Sequence, residues 1–519
     1  MEDKDLSNCT AFLDVNKRLG DKNALIFPSD NISISYAELY KSVCRRASLL
    51  KQSGISKGDR VCIYLPSTPE YLISYFAIWR AGAVAVPLNI VLCESEINYM
   101  MKNSGASAII TNENGQKTAG PACSDINPKP VIFVTGNKEW EDKISNISDL
   151  ANPVNCSFDD LCQLQYTSGT TGKQKGAMLT HGNWMAAIDS ECSLLNYKSS
   201  DVYLGIYPMA HVGVSWGISS LKAGATWVIM EQFEIDKYIE YADSYKATVV
   251  AGMPPVIHSL LKTETGTEKK FESAREMISG GGPLHPSIWK EFYSRFKIPV
   301  VNAYGLSETI VVGTGTAIRP EDYQSADEFK SVGSPVGYTE MKIVDTNDHT
   351  IELAGTDVGE IALRGPAVAK GYWGMKEETE QVFFPDGWFL TGDIGFIDEN
   401  GMLSITDRKK DMIVMSGWKI YPTEVEKTYI SHPGIEDIAI FGCPDIHRGE
   451  VPVAAVVLAN GMETNENELI KFGKERLAKY KVPRHYIFLD NLPRVHGWKL
   501  LRRELREKYC NENNSTLIL

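Results

Sequence analysis

Residues 166–181 combine glycines, hydroxyl groups and lysines in an order that suits a polyphosphate. The stretch reads YTSGTTGKQKGAMLTH, and the strand-like segment LCQLQYT runs into it. Glycines at positions 169, 172 and 176 must end that strand. Their N–H groups can bind phosphate oxygens, while the hydroxyls and a lysine add donors and positive charge. The candidate phosphate ligands are Thr167, Ser168, Gly169, Thr170, Thr171, Gly172 and Lys175.

The spacing within this loop differs from that of the Walker phosphate loop. A Walker loop needs four residues between its glycines and a serine or threonine directly after its lysine. Here GTTGKQ has two residues between the glycines, and Gln174 follows the lysine. The loop is therefore not a Walker motif, and a flexible surface turn is the alternative to a phosphate site.

The composition predicts a globular protein with at least two domains. The chain has 519 residues, 43% hydrophobic and 23% charged, with a formal net charge of −13. Nucleic-acid binders usually carry a basic field, so this balance argues against such a partner. The ten cysteines are scattered without a CxxC pair, and the N-terminus MEDKDLSNCTAF is unlike a secretory signal. We therefore expect reduced thiols, no zinc site and a cytoplasmic location.

The most apolar window, residues 71–92, is too interrupted for a membrane span. Arg80, Gly82 and Pro87 break it, whereas a spanning helix needs about 20 consecutive apolar residues. The window predicts a buried helix followed by a buried strand.

Strand-length apolar runs alternate with helix-like stretches through most of the chain. The predicted strands include RVCIYLP, GASAIIT, KPVIFVTG, ATWVIME and ATVVAGMPP, and YAELYKSVCRRASLLKQSG is a predicted helix ending at Gly54. This alternation predicts an α/β protein whose mixed, largely parallel β-sheets are layered with helices. After the charged segment DRKKDMIVMSG, the pattern suggests a small α+β unit. A domain boundary near Lys410 and a charged surface loop within one domain fit this pattern equally.

Residues 166–181 closely resemble the signature loop YTSGTTGxPKG of the adenylate-forming enzymes. That superfamily includes acyl-CoA synthetases, 4-coumarate-CoA ligases, firefly luciferase and the adenylation domains of peptide synthetases. The resemblance covers essentially the whole chain in the family's order. It implies a large N-terminal domain, residues 1–409, that binds ATP and the acid. It also implies a small mobile C-terminal domain, residues 410–519, that turns about a hinge at Lys410.

Two further segments resemble the adenine and metal sites of the family. SGGGPL, residues 279–284, resembles the adenine-contacting turn, and NAYGLSET, residues 302–309, resembles the segment that stacks on adenine and holds Mg²⁺. The resemblance implies that Tyr304 stacks on the base and that Glu308 binds the metal with Thr167; a solvated surface glutamate is the alternative. The remaining implied nucleotide contacts are Gly280, Gly281, Gly282, Pro283, Asn302, Ala303, Gly305 and Ser307.

The C-terminal motifs supply the implied ribose and catalytic groups. GWFLTGD and DRKKDMI resemble the ribose segments, which implies Asp393 and Arg408 as the ribose ligands. LPRVHGWKLLRREL resembles the family pattern PRxxxGKxxR and places Lys499 at the catalytic lysine. Trp498 stands where the family has glycine, and Gly497 comes one residue early.

The resemblance implies a two-step reaction with ATP, Mg²⁺ and coenzyme A. A carboxylate attacks the α-phosphate of ATP, and CoA then takes the acyl group from the adenylate. The implied catalytic groups are Lys499, His211, Thr167 and Glu308, and Ser416, Gly417 and Trp418 are implied to face CoA. Candidates for the acyl pocket are His211, Gly213, Val214, Trp216, Met253 and Ala303.

The pocket candidates other than His211 are uncharged, which favours a medium or longer fatty acid over an amino acid. An aryl acid and a carnitine-type acid are the alternatives, since Trp216 could face a quaternary ammonium. A nucleotide-binding relative without activity is the alternative from another class, and the two departures at Gln174 and Trp498 are its motivation. The sequence leaves a monomer or a homodimer open.

Overall fold

The protein is described here by a computed structural model over residues 8–148, 150–167, 174–282, 284–318, 331–445, 447–495 and 499–510. The helices are α1 (Ala11–Asn16), α2 (Tyr36–Gln52), α3 (Pro69–Arg80), α4 (Glu94–Ser104), α5 (Glu113–Ala122), α6 (Lys138–Ser145), α7 (His181–Leu194), α8 (Ser215–Lys222), α9 (Ile235–Ser244), α10 (Pro254–Leu261), α11 (Pro286–Phe296), α12 (Lys376–Val382), α13 (Pro422–Tyr429), α14 (Glu466–Lys474) and α15 (Arg502–Tyr509).

The strands alternate with these helices as the sequence predicts. They are β1 (Asn23–Phe27), β2 (Ile32–Ser35), β3 (Arg60–Tyr64), β4 (Val84–Pro87), β5 (Ala108–Asn112), β6 (Val131–Thr135), β7 (Leu161–Thr167), β8 (Lys175–Thr180), β9 (Val202–Gly205), β10 (Thr226–Ile229), β11 (Val249–Ala251), β12 (Glu276–Ser279), β13 (Val300–Leu306), β14 (Val311–Ala317), β15 (Ser334–Pro335), β16 (Glu340–Val344), β17 (Glu352–Leu353), β18 (Gly359–Arg364), β19 (Phe389–Ile397), β20 (Leu403–Arg408), β21 (Ile413–Met415), β22 (Trp418–Ile420), β23 (Ile435–Asp445), β24 (Gly449–Leu458), β25 (His485–Phe488), β26 (Arg494–Val495) and β27 (Lys499–Leu500).

Two sheets with mainly parallel strands form the first part of the fold. One has the order β15-β14-β13-β12-β11-β9-β10-β1-β2, and the other has the order β6-β5-β3-β4-β7-β8. Pairing is parallel within each sheet except at β1/β2, β13/β14, β14/β15 and β7/β8. The smaller sheets have the orders β17-β16-β18-β19-β20 and β22-β21-β24-β23, with β25 beside β24. The predicted mixed α/β class is confirmed.

The chain divides into two compact units. One comprises residues 1–341 and 362–389, and the other comprises residues 342–361 and 390–519. The predicted hinge at Lys410 concerns a motion about that residue, so it stays a prediction.

The interrupted apolar window forms the predicted helix and strand, α3 and β4, both buried. Arg80 ends α3 with a fully buried side chain, because it donates to both carboxylate oxygens of Asp14 at 2.8 and 3.0 Å and to the carbonyl of Ala151 at 2.7 Å. Such pairing offsets the desolvation of a buried charge. Among the helices of the described residues, none is both long and apolar enough to cross a bilayer.

The last part of the second unit is the predicted small α+β fold. Its core lies between α13, α14 and the sheet of β21–β25, and includes Ile440, Val456 and Leu469. Arg502, the first residue of α15, donates to both carboxylate oxygens of Glu426 at 2.7 and 2.8 Å and to the carbonyl of Ile440 at 3.1 Å. Burial raises the pKa of Glu426, and the guanidinium opposes that shift. This ion pair fixes the helix that directly follows Lys499.

Two cysteines form a disulfide instead of remaining reduced thiols, the state that the sequence predicts. Cys443 on β23 and Cys510 at the end of α15 form a disulfide, with Cα atoms 5.2 Å apart and a sequence separation of 67. The expectation of reduced thiols is therefore wrong for this pair. Packing of α15 on β23 brings the two together, and sequence spacing gave no sign of it. The other eight cysteines, all within the described residues, are free.

We expect Arg502→Ala to lower the free energy of unfolding by about 3 kcal/mol, the lower end of the range for breaking a buried ion pair, because Glu426 loses its partner while its side chain is only 16% exposed. Urea denaturation followed by circular dichroism would measure the change. Arg503→Ala is the matched control, since Arg503 is the next residue, is 68% exposed and forms a surface ion pair with Glu507 one turn away. Equal losses in the two variants would contradict a structural role for the Arg502 pair.

Candidate nucleotide and acyl site

The two ends of the predicted phosphate loop are fixed by one antiparallel strand pair. Thr167 ends β7, Lys175 begins β8, and the two residues lie directly opposite each other. The carbonyl of Gln174 accepts a hydrogen bond from the hydroxyl of Tyr99 at 3.1 Å. Ser168, Gly169, Thr170, Thr171 and Gly172 lie outside the described residues. The strand pair thus places a hydroxyl and an ammonium at the base of the loop.

Glu308 lies in a buried turn next to these strands. It belongs to a short 3₁₀ turn, residues 307–309, which contacts both β7 and β8, and it is 7% exposed. The next two residues, Ile310 and Val311, have positive φ angles of 49° and 51°, which β-branched residues rarely adopt. The Thr309 hydroxyl secures the turn by accepting from the backbone N–H of Leu306 at 2.9 Å. Backbone strain is therefore concentrated directly after the predicted metal ligand.

Tyr372 contacts both Glu308 and Lys175. Its hydroxyl donates to Glu308 Oε1 at 2.9 Å, and the Lys175 ammonium lies over its ring, 5.0 Å from the centroid. Burial, and then the Glu308 carboxylate, raises the pKa of the Tyr372 hydroxyl, so it stays a donor. The sequence analysis missed this tyrosine, which lies outside the motifs singled out there.

The donors near Glu308 fit a magnesium ion. The Glu308 carboxylate is buried, and its turn contacts β7, the strand that ends at Thr167 with its hydroxyl. Such hard oxygen ligands are those that Mg²⁺ prefers, together with phosphate oxygens and water.

The two predicted adenine segments leave adjacent parallel strands. Ser279, the last residue of β12, pairs with Asn302 on β13, so Gly280, Gly281 and Gly282 emerge beside Ala303 and Tyr304. Asn302 donates its side-chain amide to the carbonyl of Ser331 at 3.1 Å. Gly305 and Ser307 follow on the same segment, and Pro283 lies outside the described residues. Strand register thus brings together two segments that α11 separates in the sequence.

The predicted ribose ligands lie side by side in the second unit. Asp393 on β19 and Arg408 on β20 are directly opposite in an antiparallel pair, with Arg408 Nε 3.2 Å from Asp393 Oδ1. Asp393 is 4% exposed. Lys410 follows β20 after one residue, and its carbonyl accepts from Arg506 at 3.3 Å.

The catalytic lysine predicted at position 499 lies at the start of the short strand β27. Its backbone pairs with Val495 on β26, and α15 begins three residues later. Gly497 and Trp498, where the sequence departs from the family pattern, lie outside the described residues.

A tight hairpin displays the residues implied to face CoA. Ser416 and Gly417 join β21 to β22 with φ angles of 50° and 85°, and positive φ at both central residues suits a two-residue hairpin turn. Trp418 follows, 59% exposed, and stacks on Tyr480 with ring centroids 4.9 Å apart. The turn therefore presents a broad aromatic surface to solvent.

The acyl-pocket candidates differ in their exposure. His211 is exposed, and its Nε2 lies 3.4 Å from the side-chain amide of Asn89, which argues against a packed core histidine. Gly213 and Met253 are half-buried, whereas Val214, Trp216 and Ala303 are buried. The side chain of Tyr207 flanks Gly213, since a Cβ added there would meet it at 3.2–3.3 Å.

Comparison with known proteins gives matches over nearly the whole chain. The sequence profile described as AMP-binding enzyme matches residues 12–373, and the AMP-binding enzyme C-terminal domain matches residues 424–497. The chain belongs to the AMP-binding enzyme family. The resemblance stated from the motifs is thus confirmed.

Relatives of this AMP-binding enzyme include CoA ligases for different acids. A long-chain-fatty-acid–CoA ligase of Bacillus subtilis is 33% identical over 95% of this chain and 92% of its own length. A feruloyl-CoA synthase of an Amycolatopsis species is 32% identical over 92% and 94%. The ATP-bound crystal structure of MatB from Rhodopseudomonas palustris has a TM-score of 0.90 at 29% identity, covering 97% of this chain and 99% of that one.

The AMP-binding enzyme also buries a carboxyl group between helices α7 and α8. Glu191 on α7 is fully buried and accepts from the hydroxyls of Ser215 and Ser219 on α8, both at 2.6 Å. Burial raises its pKa to about 8, against the lowering effect of the two hydroxyls. The sequence analysis missed Glu191, because nothing in the sequence shows which helix covers it. The contact fixes the start of α8, which carries Trp216.

We expect Glu191→Gln to alter the pH dependence of stability. The folded-state pKa lies above the ordinary value of 4.5, so the native protein binds more protons than the unfolded chain between about pH 4.5 and 8, and its stability falls as the pH rises through that range. Glutamine removes this dependence. Between pH 4.5 and 8, the free energy of unfolding of the variant should therefore rise relative to that of the wild type by a few kcal/mol, on the order of 1.4 kcal/mol per pKa unit. Urea denaturation at several pH values measures this difference in the free energy of unfolding. The exposed Asp189→Asn on the same helix is the control, and parallel curves for Glu191→Gln and wild type would contradict the expectation.

Proposed function

We propose that this AMP-binding enzyme is an AMP-forming acid–thiol ligase. A carboxylate oxygen of the acid attacks the α-phosphorus of ATP, the bond to the β-phosphate breaks, and pyrophosphate leaves. The CoA sulfur then attacks the acyl carbon of the adenylate, and AMP leaves. The observation that carries this proposal is that Lys175 and Glu308 both contact Tyr372. A cation suited to phosphates and a carboxylate suited to a metal ion therefore lie close to one side chain.

The chain's own groups have distinct roles in the first step. Lys175, Thr167 and the loop after β7 bind the β- and γ-phosphates, and Tyr304 with the turn after β12 binds adenine. Asp393 accepts from the ribose hydroxyls, with Arg408 beside it. Glu308 and Thr167 would hold Mg²⁺, which would neutralise negative charge on the phosphates. Lys499 stabilises the charge that develops at the α-phosphate during attack.

The second step follows a turn of the C-terminal domain, residues 410–519, about Lys410. In this proposal Lys499 leaves the α-phosphate, and the face formed by Ser416, Gly417 and Trp418 approaches for attack by CoA. The exposed aromatic surface of Trp418 on its tight hairpin supports this assignment.

The acid that we propose is a fatty acid of medium or longer chain. The pocket candidates Gly213 and Met253 are half-buried and uncharged, which suits an apolar acyl chain, and the long-chain-fatty-acid–CoA ligase of Bacillus subtilis is among the relatives. An aryl acid is the second candidate, because the feruloyl-CoA synthase is about equally similar.

An ATP–pyrophosphate exchange assay with a panel of fatty, aryl and carnitine-type acids tests the proposal. We expect exchange with fatty acids, and thioester formation once CoA is added. Absence of exchange with every acid would support an inactive nucleotide-binding relative. Exchange without consumption of CoA would point to release of the adenylate or transfer to a carrier protein.

Lys499→Ala should slow adenylation by about 100- to 1,000-fold, the loss typical for removing one group that stabilises developing charge. Thioester formation from supplied acyl-adenylate should be nearly unchanged, since Lys499 acts only in the first step. Lys471→Ala, at an exposed position of α14, is the control. Equal loss in both steps would refute the assigned role.

Gly213→Ile should shift the preference toward shorter acids. The new side chain crowds Tyr207, which an added Cβ already meets at 3.2–3.3 Å. In this proposal the crowding narrows the acyl pocket, so the kcat/KM ratio of short to long acids should rise by about tenfold or more. Gly120→Ala on α5, where an added Cβ meets nothing within 4 Å, is the control. Unchanged chain-length selectivity would remove Gly213 from the pocket.

A further inference from the structure

Residues 369–373, AKGYW, form a backbone bridge between the phosphate-loop strand and the Glu308 turn. The segment runs antiparallel to β8, with Tyr372 opposite Ala177. Its backbone hydrogen bonds are Lys370 N–H to Met178 O at 3.0 Å, Met178 N–H to Gly371 O at 2.9 Å and Trp373 N–H to Gly176 O at 2.8 Å. At its other end Ala369 N–H donates to the Glu308 carbonyl at 2.7 Å. The position of Tyr372 is therefore set relative to both neighbours by main-chain bonds.

The side chain of Tyr372 is fixed as firmly as its backbone. Gly371 before it has a φ angle of 128° and packs against Thr379, a position that only glycine fits. The backbone N–H of Tyr372 donates to the Thr379 hydroxyl at 2.9 Å, and Phe383 packs edge-on against the ring at 5.3 Å. Tyr372 itself is only 9% exposed. The ring thus has little rotational freedom.

The two ends of this side chain interact with opposite charges. The hydroxyl donates to the Glu308 carboxylate, and the electron-rich ring face holds the Lys175 ammonium. A carboxylate and an ammonium at neighbouring strand ends could otherwise pair directly with each other, which would occupy the groups that the nucleotide needs. The rigid tyrosine gives each of the two charged groups a fixed neighbour.

We propose that Tyr372 is a positioning residue that aims the Glu308 carboxylate with its hydroxyl and holds the Lys175 ammonium on its ring face. MgATP then meets groups that are already ordered, so less conformational entropy is lost on binding. This role rests on the proposed function, because it assumes that Lys175 receives phosphates and Glu308 receives the metal. The role goes beyond that function, because it makes Tyr372 responsible for the positions of the Glu308 carboxylate and the Lys175 ammonium. In the mechanism above, Tyr372 itself contacts neither ATP nor the acid.

Two variants separate the two contacts. Tyr372→Phe deletes the hydroxyl and keeps the ring, whereas Tyr372→Leu deletes both. Calorimetric titration of ATP into the full-length protein without any acid measures binding in the absence of turnover, with excess Mg²⁺ and again with EDTA. Tyr338→Phe, at a tyrosine that is 82% exposed, is the matched control.

We expect Tyr372→Phe to weaken ATP binding about fivefold or more in Mg²⁺, as for loss of a hydrogen bond to a charged group, with little change in EDTA. Tyr372→Leu should in addition weaken binding in EDTA by about threefold, the size of an exposed or partly buried cation–π contact. In an enzyme assay Tyr372→Phe should raise the Mg²⁺ concentration for half-maximal adenylation, and excess Mg²⁺ should restore much of kcat.

A cycle with Glu308→Gln tests whether the hydroxyl acts through that carboxylate. In the Glu308→Gln background, Tyr372→Phe should cause no further loss of Mg²⁺-dependent binding. Independent, additive losses would overturn the proposal, as would wild-type binding by Tyr372→Phe or equal weakening with and without Mg²⁺. If the wild type binds MgATP normally in these cases, only the role of Tyr372 fails. If the wild type does not bind MgATP, the proposed function fails first and the role of Tyr372 with it.

Discussion

The pairing of residues 369–373 with β8 is the constraint on which the nucleotide half of the site depends. A buried carboxylate and a nearby ammonium need fixed partners, because an unpaired buried charge is costly and two unrestrained opposite charges tend to join. Backbone hydrogen bonds between 2.7 and 3.0 Å place this segment against both β8 and the Glu308 turn. Two β-branched residues with positive φ, Ile310 and Val311, directly follow this turn, and such strained backbone persists only where the surrounding structure anchors it.

The second unit positions its predicted ligands by the same means, strand register. Antiparallel pairing of β19 with β20 puts Asp393 opposite Arg408, and the hairpin of β21 and β22 presents Trp418. The Arg502–Glu426 pair and the Cys443–Cys510 disulfide hold the two ends of α15. Short elements with little core of their own are thereby fixed close to the residues assigned to chemistry.

Buried ionisable side chains recur away from the nucleotide site, and each has defined hydrogen-bond partners. Arg80 ends an apolar helix yet donates to Asp14 and a carbonyl, while Glu191 accepts from two serine hydroxyls. The two cases differ in sign: a guanidinium stays charged when buried and paired, whereas burial raises the pKa of Glu191 to about 8. An ionisable residue in an apolar segment is therefore compatible with a buried, packed helix.

The sequence by itself determined the α/β class, the order of the motifs, and the residue types that are candidate ligands for phosphate, ribose and a metal ion. Periodicity and turn residues are local properties, and α2, α3, β4 and β7 form where they indicate. Only the tertiary structure decided that Tyr372 joins Lys175 to Glu308, that Glu191 lies beneath α8, and that two cysteines form a disulfide. Those contacts join residues tens to hundreds of positions apart, and their partners depend on sheet order and helix packing, which no local pattern encodes.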